Sequence, residues 1–305
     1  MPAIRQFETF RALAKHRHFG RAAQALGVSQ PALTRSLQNL ERGLGVTLLD
    51  RQDMSPTAFG EAALRFAVPA VGGFDELLRE LALLQGRETG GLKVAMGPYP
   101  ADISGSRAAG RLSSQHPKLA IALRVCDWSE AIRDVLENAA DLALAEISEA
   151  EGRADLETEV VRRAQGRFFC RAGHPLAGRK RLALSDLFDY PLVGPSYPAR
   201  VQAVLPKTDG SFGAFDTGRD RFNPRILVES FSVIRDIVLN SDAISAFAPG
   251  QIEEELERGR CVALPVVAPA LRLNYGFIVK RGRTLSPAAR TFMEAVREIE
   301  RTIPG

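Results

Sequence analysis

Three sets of side chains in this 305-residue chain have the types and spacing to do chemistry. Gln30, Pro31, Thr34, Arg35 and Gln38 recur at intervals that bring them to one face of a helix, and such residues read base edges or hold phosphates. Tyr99, Trp128 and Tyr197, together with Asp102, Asp127 and Glu146, are a mixture suited to a polyhydroxylated or cationic small molecule. Cys170 and His174 lie four residues apart, and His116 lies ten before Cys126, which raises the question of a cysteine nucleophile.

The first set sits in a helix pair. An Ala-rich helix over 21–26 breaks at Gly27, a residue free to take the positive φ of a tight turn. Ser29 is a preferred N-cap, and Pro31 falls in the first turn of the next helix, where no intrahelical donor is lost. Leu33, Leu37 and Leu40 form an apolar stripe opposite the polar face. Two short helices joined by a Gly-containing turn, the second polar outside, describe a helix-turn-helix. Gln pairs bidentately with adenine and Arg with guanine, while Pro31 and the Thr34 methyl suit a thymine methyl. Thr34 and Gln38 can equally hold phosphates, which position without reading sequence. The alternative is a plain αα-hairpin with a solvated face.

The flanking residues discriminate. Ile4, Phe7, Phe10 and Leu13 form a first amphipathic helix, and Leu48, Leu49 and Arg51 precede a helix start at Pro56-Thr57 and Gly60. Over about the first 65 residues, AAQALGVSQPALTRSLQNLERGLGVTLLDR followed by SPTAFGEAAL resembles the winged helix-turn-helix of LysR-type transcriptional regulators. That resemblance implies double-stranded operator DNA as partner, with Gln30, Pro31, Thr34, Arg35 and Gln38 at the major groove, Ser29 capping the recognition helix and Arg51 on the flanking backbone. One departure is Leu49-Asp50-Arg51, where the family usually has a Phe and a second polar residue before the Arg; phosphate would repel the Asp50 charge.

Net charge is +4, and residues 1–60 alone hold eight basic and four acidic groups, leaving the rest neutral. A basic head on a neutral body is the footprint of a nucleic-acid module joined to something else. The three cysteines are scattered and offer no disulfide framework. The N-terminus lacks the apolar core of a signal peptide, and no apolar run reaches the ~20 residues of a membrane span, so the expected location is cytoplasmic.

Leu64, Ala67, Val71, Phe74, Leu78 and Leu81 alternate spacings of three and four, the seam of a coiled coil over 58–88. The resemblance implies that this helix pairs subunits into a homodimer or homotetramer; the alternative is a helix buried in its own domain. Pro69 and Gly72-Gly73 interrupt the pattern, which predicts a kink near 65–69 or two shorter helices. Residues 86–91, GRETGG, read as a hinge.

Beyond the hinge, strands over 92–96, 119–125 and 141–145 alternate with helices over 101–115 and 129–138, an order that implies a parallel sheet covered on both faces. The pattern restarts with strands over 167–171, 191–193, 225–228 and 243–247 and helices over 185–188, 232–239 and 251–258. A strand over 271–279 and a helix over 287–301 close the chain. Asp141-Leu142-Ala143-Leu144, His174-Pro175-Leu176 and Pro191-Leu192-Val193 resemble the family's effector domain. The implied fold is a winged helix-turn-helix domain (1–57), a linker helix (58–88) and an α/β effector domain (89–305) of two Rossmann-like subdomains. These halves, about 92–162 with 271–305 and about 163–270, would resemble a periplasmic solute-binding protein.

Ligands in open α/β sheets sit beyond the carboxyl ends of strands, and a cleft between two halves is a default pocket. The strand ends name Tyr99, Pro100, Asp102, Asp127, Trp128, Glu146, Ser196, Tyr197, Ser230 and Phe247 as effector-binding candidates, with Glu229 beside Ser230. The carboxylates disfavour organic acids, whereas Arg171 and Arg200 are the residues that would cover an anion. Neither Cys–His pair carries a known nucleophile signature, and the histidines and cysteines lack metal-ligand spacing. No GxGxxG or P-loop opens a helix, so no cofactor is expected. The sequence reads as a non-enzymatic DNA-binding regulator whose oligomeric arrangement responds to a small molecule, with RNA polymerase as a further partner. An architectural DNA binder with a vestigial sensor, or an enzyme with a DNA-binding head, are the rivals.

Overall fold

The computed structural model describes residues 2–84, 91–218, 220–248 and 250–303. Two compact units divide the chain, Met1–Thr89 and Gly90–Gly305.

The first unit is helical. Helices α1 (Ile4–His16), α2 (Phe19–Leu26) and α3 (Gln30–Leu44) bury Phe10, Leu13, Ala22, Leu33, Leu37 and Leu40 in one core. His18 caps α2, its Nδ1 accepting from the Arg21 amide at 3.3 Å. Gly27 ends that helix at φ 63°, the left-handed turn residue that the sequence demands. After α3, Leu49 bridges Pro56 in antiparallel fashion around a short turn, which forms the wing. The Thr57 hydroxyl then accepts from the Gly60 amide at 3.0 Å and starts α4 (Ala58–Leu84). Gly60 is obligatory there, because a Cβ would lie 2.0 Å from the Leu48 carbonyl oxygen.

One of the two alternatives expected for α4 is corrected. The helix runs unbroken through Pro69 rather than as two shorter helices. Pro69 is exposed and lacks only its own N–H, so the lost bond is the one to the Arg65 carbonyl. The seam is also split. Ala67 and Val71 are buried in the first unit's core with Leu64 packed beside them, and Phe66 meets Phe7 edge-on at 5.2 Å. Phe74, Leu78 and Leu81 are 42%, 50% and 44% exposed. The first half of the stripe therefore holds the domain together, and only the second half is free for a partner. Most of the expected hinge, 86–90, lies outside the described residues.

The second unit is α/β. Its larger sheet has the order β2 (Ile121–Val125), β1 (Leu92–Met96), β3 (Leu142–Glu146), β12 (Arg272–Lys280), β4 (Leu156–Gln165). Strands β1, β2 and β3 are parallel, but β12 runs antiparallel to both β3 and β4. The sheet is thus mixed rather than parallel. β4 escaped the sequence reading because LETEVVRRAQ is mostly exposed at a sheet edge and shows no buried run.

Side chains alternate across this sheet. Val94, Met96, Leu142, Leu144 and Phe277 pack on helices α6 (Ser106–Gln115) and α11 (Pro287–Arg301). Ala95, Ala143, Ala145 and Ile278 pack on α7 (Trp128–Leu136). Between β1 and α6 the chain makes a single turn α5 (Pro98–Pro100) and a π-helical turn, Ala101–Gly105.

After β4 the chain crosses at Gly166 into a second set of strands. β5 (Arg167–Arg171) lies between β10 (Ser245–Phe247) and β11 (Cys261–Ala263), antiparallel to both. β6 (Val193–Gly194) pairs β9 (Ile226–Leu227) in parallel, and Leu192 bridges Ile244. Between them lie α8 (Ala199–Gln202) and the hairpin of β7 (Gly213–Asp216) and β8 (Arg221–Pro224), none of which the sequence suggested. α9 (Phe231–Leu239) and α10 (Glu253–Glu257) complete this half. The chain returns beside Gly166, whose amide donates to the Leu271 carbonyl at 2.8 Å.

Candidate functional site

The first candidate surface is the outer face of α3. Gln30, Pro31, Arg35 and Gln38 are exposed and Thr34 is half-buried, while Leu33, Leu37 and Leu40 anchor the other side. The Ser29 hydroxyl accepts from the Ala32 amide at 3.4 Å and so caps the helix. The Ser36 hydroxyl donates to Thr9 at 3.1 Å, which ties α3 to α1. The Thr34 hydroxyl donates to the Gln30 carbonyl at 3.0 Å, so its proton is committed.

Arg51 is exposed in the turn of the wing. Its neighbour Asp50 accepts from the Gln52 amide at 2.7 Å, and Asp53 accepts from the Ser55 amide at 2.8 Å. Both carboxylates therefore brace the turn that presents Arg51. The Ser55 hydrogen bonds hold the Asp53 carboxyl below its ordinary value, so it stays ionised.

The second candidate surface is a cleft in the α/β unit. It holds about 670 Å³ of space between atoms with its open mouth included, and about 60 Å³ of that admits the centre of a water molecule. Eight of the ten effector candidates line it: Tyr99, Pro100, Asp127, Trp128, Glu146, Ser196, Tyr197 and Phe247. They come from the ends of β1, β2, β3, β6 and β10, which the topology directs to one place. Asp102 and Ser230 do not line it. Asp102 points its Oδ2 to Gln251 at 3.5 Å, and the Ser230 and Ser232 hydroxyls meet at 3.0 Å. Of the Glu229-Ser230 pair, Glu229 is the lining residue. Of the two arginines named for an anion, Arg200 lines the cleft; strand-end reasoning missed Leu271 to Leu273 and Tyr275 along the return strand, because it gives no account of a strand running the other way.

The polar groups of the cleft fall into two classes. Some are satisfied by the protein. Asp127 accepts from the Ser129 hydroxyl at 2.7 Å and the Glu130 amide at 2.8 Å as the N-cap of α7. Arg200 donates to both oxygens of Glu146 at 3.0 and 2.6 Å, to the Ser148 hydroxyl at 2.9 Å, and to the Arg272 carbonyl. Arg200 is thus held by a carboxylate, and Arg171 is held elsewhere by Asp242 at 2.6 Å. The terminal nitrogens of Arg200 are committed to Glu146, Ser148 and Arg272, and Arg171 does not line the cleft.

Others are not satisfied. Glu229 accepts from the Ser196 amide at 3.1 Å through Oε1, but its Oε2 is buried without a partner. The Tyr197 hydroxyl and the Nε of Arg200 are likewise buried and unpartnered. Burial pushes the Glu229 carboxyl up, and Asp127 and Glu130 push it further. Burial also raises the Tyr99 and Tyr197 hydroxyls, with the Glu229 charge adding to both.

The cysteines offer no comparable chemistry. Burial pushes the Cys126 and Cys170 thiols up to about 12. Thiolates, not thiols, are nucleophiles. His174 accepts from the Leu176 amide at 3.1 Å through Nδ1, and its Nε2 lies 3.2 Å from the Asp242 carbonyl, so both nitrogens serve the backbone. Among the described residues no helix is long and apolar enough to cross a membrane.

Comparison with known proteins identifies both units. The model for the bacterial regulatory helix-turn-helix protein, lysR family, matches residues 4–61, and that for the LysR substrate binding domain matches residues 85–300. The chain is 36% identical to the SDS degradation transcriptional activation protein of Pseudomonas sp. (strain ATCC 19151), across 100% of this chain and 98% of the relative. It is 28% identical to the transcriptional regulator GbpR of Azospirillum brasilense, across 96% of this chain and 85% of the relative. Among solved structures it shares its fold with a full-length OxyR variant from Pseudomonas aeruginosa, at a TM-score of 0.66 and 18% identity over 97% of this chain and 98% of the other. A crystal structure of full-length CbnR with its target DNA matches at a TM-score of 0.56 and 21% identity, over 97% and 99% of the two chains. The chain belongs to the LysR family and is a DNA-binding transcriptional regulator with an effector-binding domain.

Proposed function

We propose that this regulator reads operator DNA with Gln30, Pro31, Thr34, Arg35 and Gln38, with Ser29 capping the helix and Arg51 on the flanking backbone. A small molecule in the cleft lined by Tyr99, Pro100, Asp127, Trp128, Glu146, Ser196, Tyr197, Glu229 and Phe247 then sets its activity. The observation that carries this reading is the convergence of five separate strand ends on one cleft, in a chain whose other unit presents a capped, polar-faced helix.

The subunits pair through the exposed second half of α4, where Phe74, Leu77, Leu78 and Leu81 are each at least 42% exposed. An effector that binds one arrangement of the oligomer more tightly shifts its population and with it the bend of the DNA and the contact with RNA polymerase. Residues 1–57, 58–88 and 89–305 serve as reader, linker and sensor, with the sensor's halves as divided above.

Footprinting of the purified protein on the DNA upstream of its own gene, with and without a panel of sugars, alcohols and organic acids, tests this. A dyad-symmetric protected site whose length changes with one compound is the expected result. Failure to protect any site in a genome-wide binding selection sinks it.

A further inference from the structure

We infer that the cleft takes a molecule with an alcohol hydroxyl on an apolar body, the hydroxyl donating to Glu229 Oε2 and accepting from the Tyr197 hydroxyl. This rests on the reading of the cleft as the effector site and names the ligand's chemical class.

The argument is one of complementarity. Most of the cleft's polar groups already have protein partners: Asp127 in the α7 cap, Glu146 and Arg200 in each other, and Glu229 Oε1 on the Ser196 amide. The buried lining atoms left over are an acceptor, Glu229 Oε2, a hydroxyl, the Tyr197 Oη, and a donor, Arg200 Nε, which the second lone pair of a ligand hydroxyl can also meet. Tyr197 is 6% exposed, and its hydroxyl packs over Gly194, where a Cβ would lie 2.5 Å away. It cannot swing into solvent to find a partner. An unpaired buried polar group is costly, so a ligand that pairs these atoms gains most.

A hydroxyl group offers one donor and two acceptor lone pairs. It can satisfy the carboxylate and the phenol together. An ammonium can donate to Glu229 but leaves the tyrosine O–H without an acceptor. A carboxylate or sulfate has nothing to donate and meets Glu229 charge to charge, while the Arg200 guanidinium that would attract it is already bound to Glu146 at 2.6 Å. Arg272 also lines the cleft; it is exposed, and its Nε donates to the Pro269 carbonyl at 3.1 Å. Much of the rest of the lining is apolar. Phe247 is fixed edge-on against Phe169 at 5.5 Å, and Pro98, Pro100 and Leu271 complete walls that accept hydrocarbon.

The chain's single tryptophan, Trp128, lines this cleft, so its emission reports occupancy directly. The full-length protein would be titrated with three matched sets: hexan-1-ol, hexylamine and hexanoate; benzyl alcohol, benzylamine and benzoate; and cyclohexylmethanol with its amine and acid. The expected result is at least tenfold tighter binding of one alcohol than of its amine and acid. Glu229→Ala and Tyr197→Phe should each weaken that alcohol about tenfold, and Glu229→Gln, which keeps an acceptor and the fold, should weaken it less. Tighter binding of an amine or an acid overturns the alcohol assignment and leaves the cleft reading intact. So does silence of Trp128 toward all nine compounds. If a compound alters the DNA footprint while Trp128 emission and both variants are indifferent to it, the cleft reading itself is wrong.

Discussion

Arg200 and Glu146 clasp each other across the cleft, the guanidinium donating to both carboxylate oxygens at 3.0 and 2.6 Å although 54 residues separate them. Glu146 ends β3 of the larger sheet and Arg200 lies in α8 of the other half, so the pair joins the two halves. Their side chains are 15% and 26% exposed, which places the pair between a surface bridge and a buried one. Arg200→Ala should cost about 1–3 kcal/mol, because Glu146 keeps its burial and loses its charge-assisted bonds. Thermal unfolding of variant and parent measures this. A change within a few tenths would show the clasp to be energetically idle.

Arg35 and Arg51 should separate in their effect on DNA. Arg35 projects from the recognition helix and Arg51 from the wing turn. Arg35→Ala should cost ~1–3 kcal/mol and do so unequally among operator variants, as expected of a base contact. Arg51→Ala should weaken all operators alike and reduce the slope of log affinity against log salt by about one, as expected of a phosphate contact. Binding titrations on three operators at four salt concentrations distinguish the two.

The cap of the recognition helix gives a stability prediction. Ser29 Oγ lies 3.4 Å from the Ala32 amide, a long hydrogen bond. Ser29→Ala should therefore fall at the low end of the cap range, about 0.5–1 kcal/mol. Ser29→Asp should hold stability, since a carboxylate also caps and favours the helix N-terminus, yet weaken DNA binding by placing charge near phosphate. Denaturant unfolding and operator affinity, measured together, test the two halves of this statement.

Pro69 offers the opposite sign. It sits exposed within the 27-residue α4 and removes one backbone donor. Pro69→Ala restores a hydrogen bond to the Arg65 carbonyl and should raise stability, by up to about 3 kcal/mol if the helix adjusts freely. No gain in unfolding temperature would mean that the surrounding packing has already absorbed the missing bond.

His174 supplies a dependence on pH. Burial holds its pKa below the ordinary imidazole value, with the Asp242 carbonyl opposing the shift. In the unfolded chain the ring takes a proton more readily, so on acidification the unfolded state binds more protons and stability falls. The loss begins near the ordinary value of 6.5 and continues down through the depressed folded value. His174→Asn keeps an acceptor for the Leu176 amide but does not titrate. Its stability relative to the parent should improve as pH drops from 7.5 to 5.5. Parallel curves for the two proteins would rule out His174 as a contributor.

Much of this protein was legible in one dimension. Local chemistry governs the head: a cap at Ser29, a turn at Gly27, a stripe of Leu33, Leu37 and Leu40, and their spacing name the helix-turn-helix before any contact is known. Strand ends named eight of the cleft's residues for the same reason, since parallel strands with helical crossovers send their carboxyl ends to one side. What needed the tertiary structure depends on contacts far apart in sequence. The periodicity of α4 is continuous from Leu64 to Leu81, and only packing on α1 shows where core ends and free surface begins. β4 shows no apolar alternation because half of its reason for being a strand is its neighbour β12. Glu146 and Arg200 looked like a repulsive acid and an anion receptor until the fold brought them together, and Glu229 and Tyr197 stand out only because it left them without partners. Residue types and spacings set the vocabulary of the site; burial and pairing, which no local pattern encodes, decided which of its groups remain for a ligand.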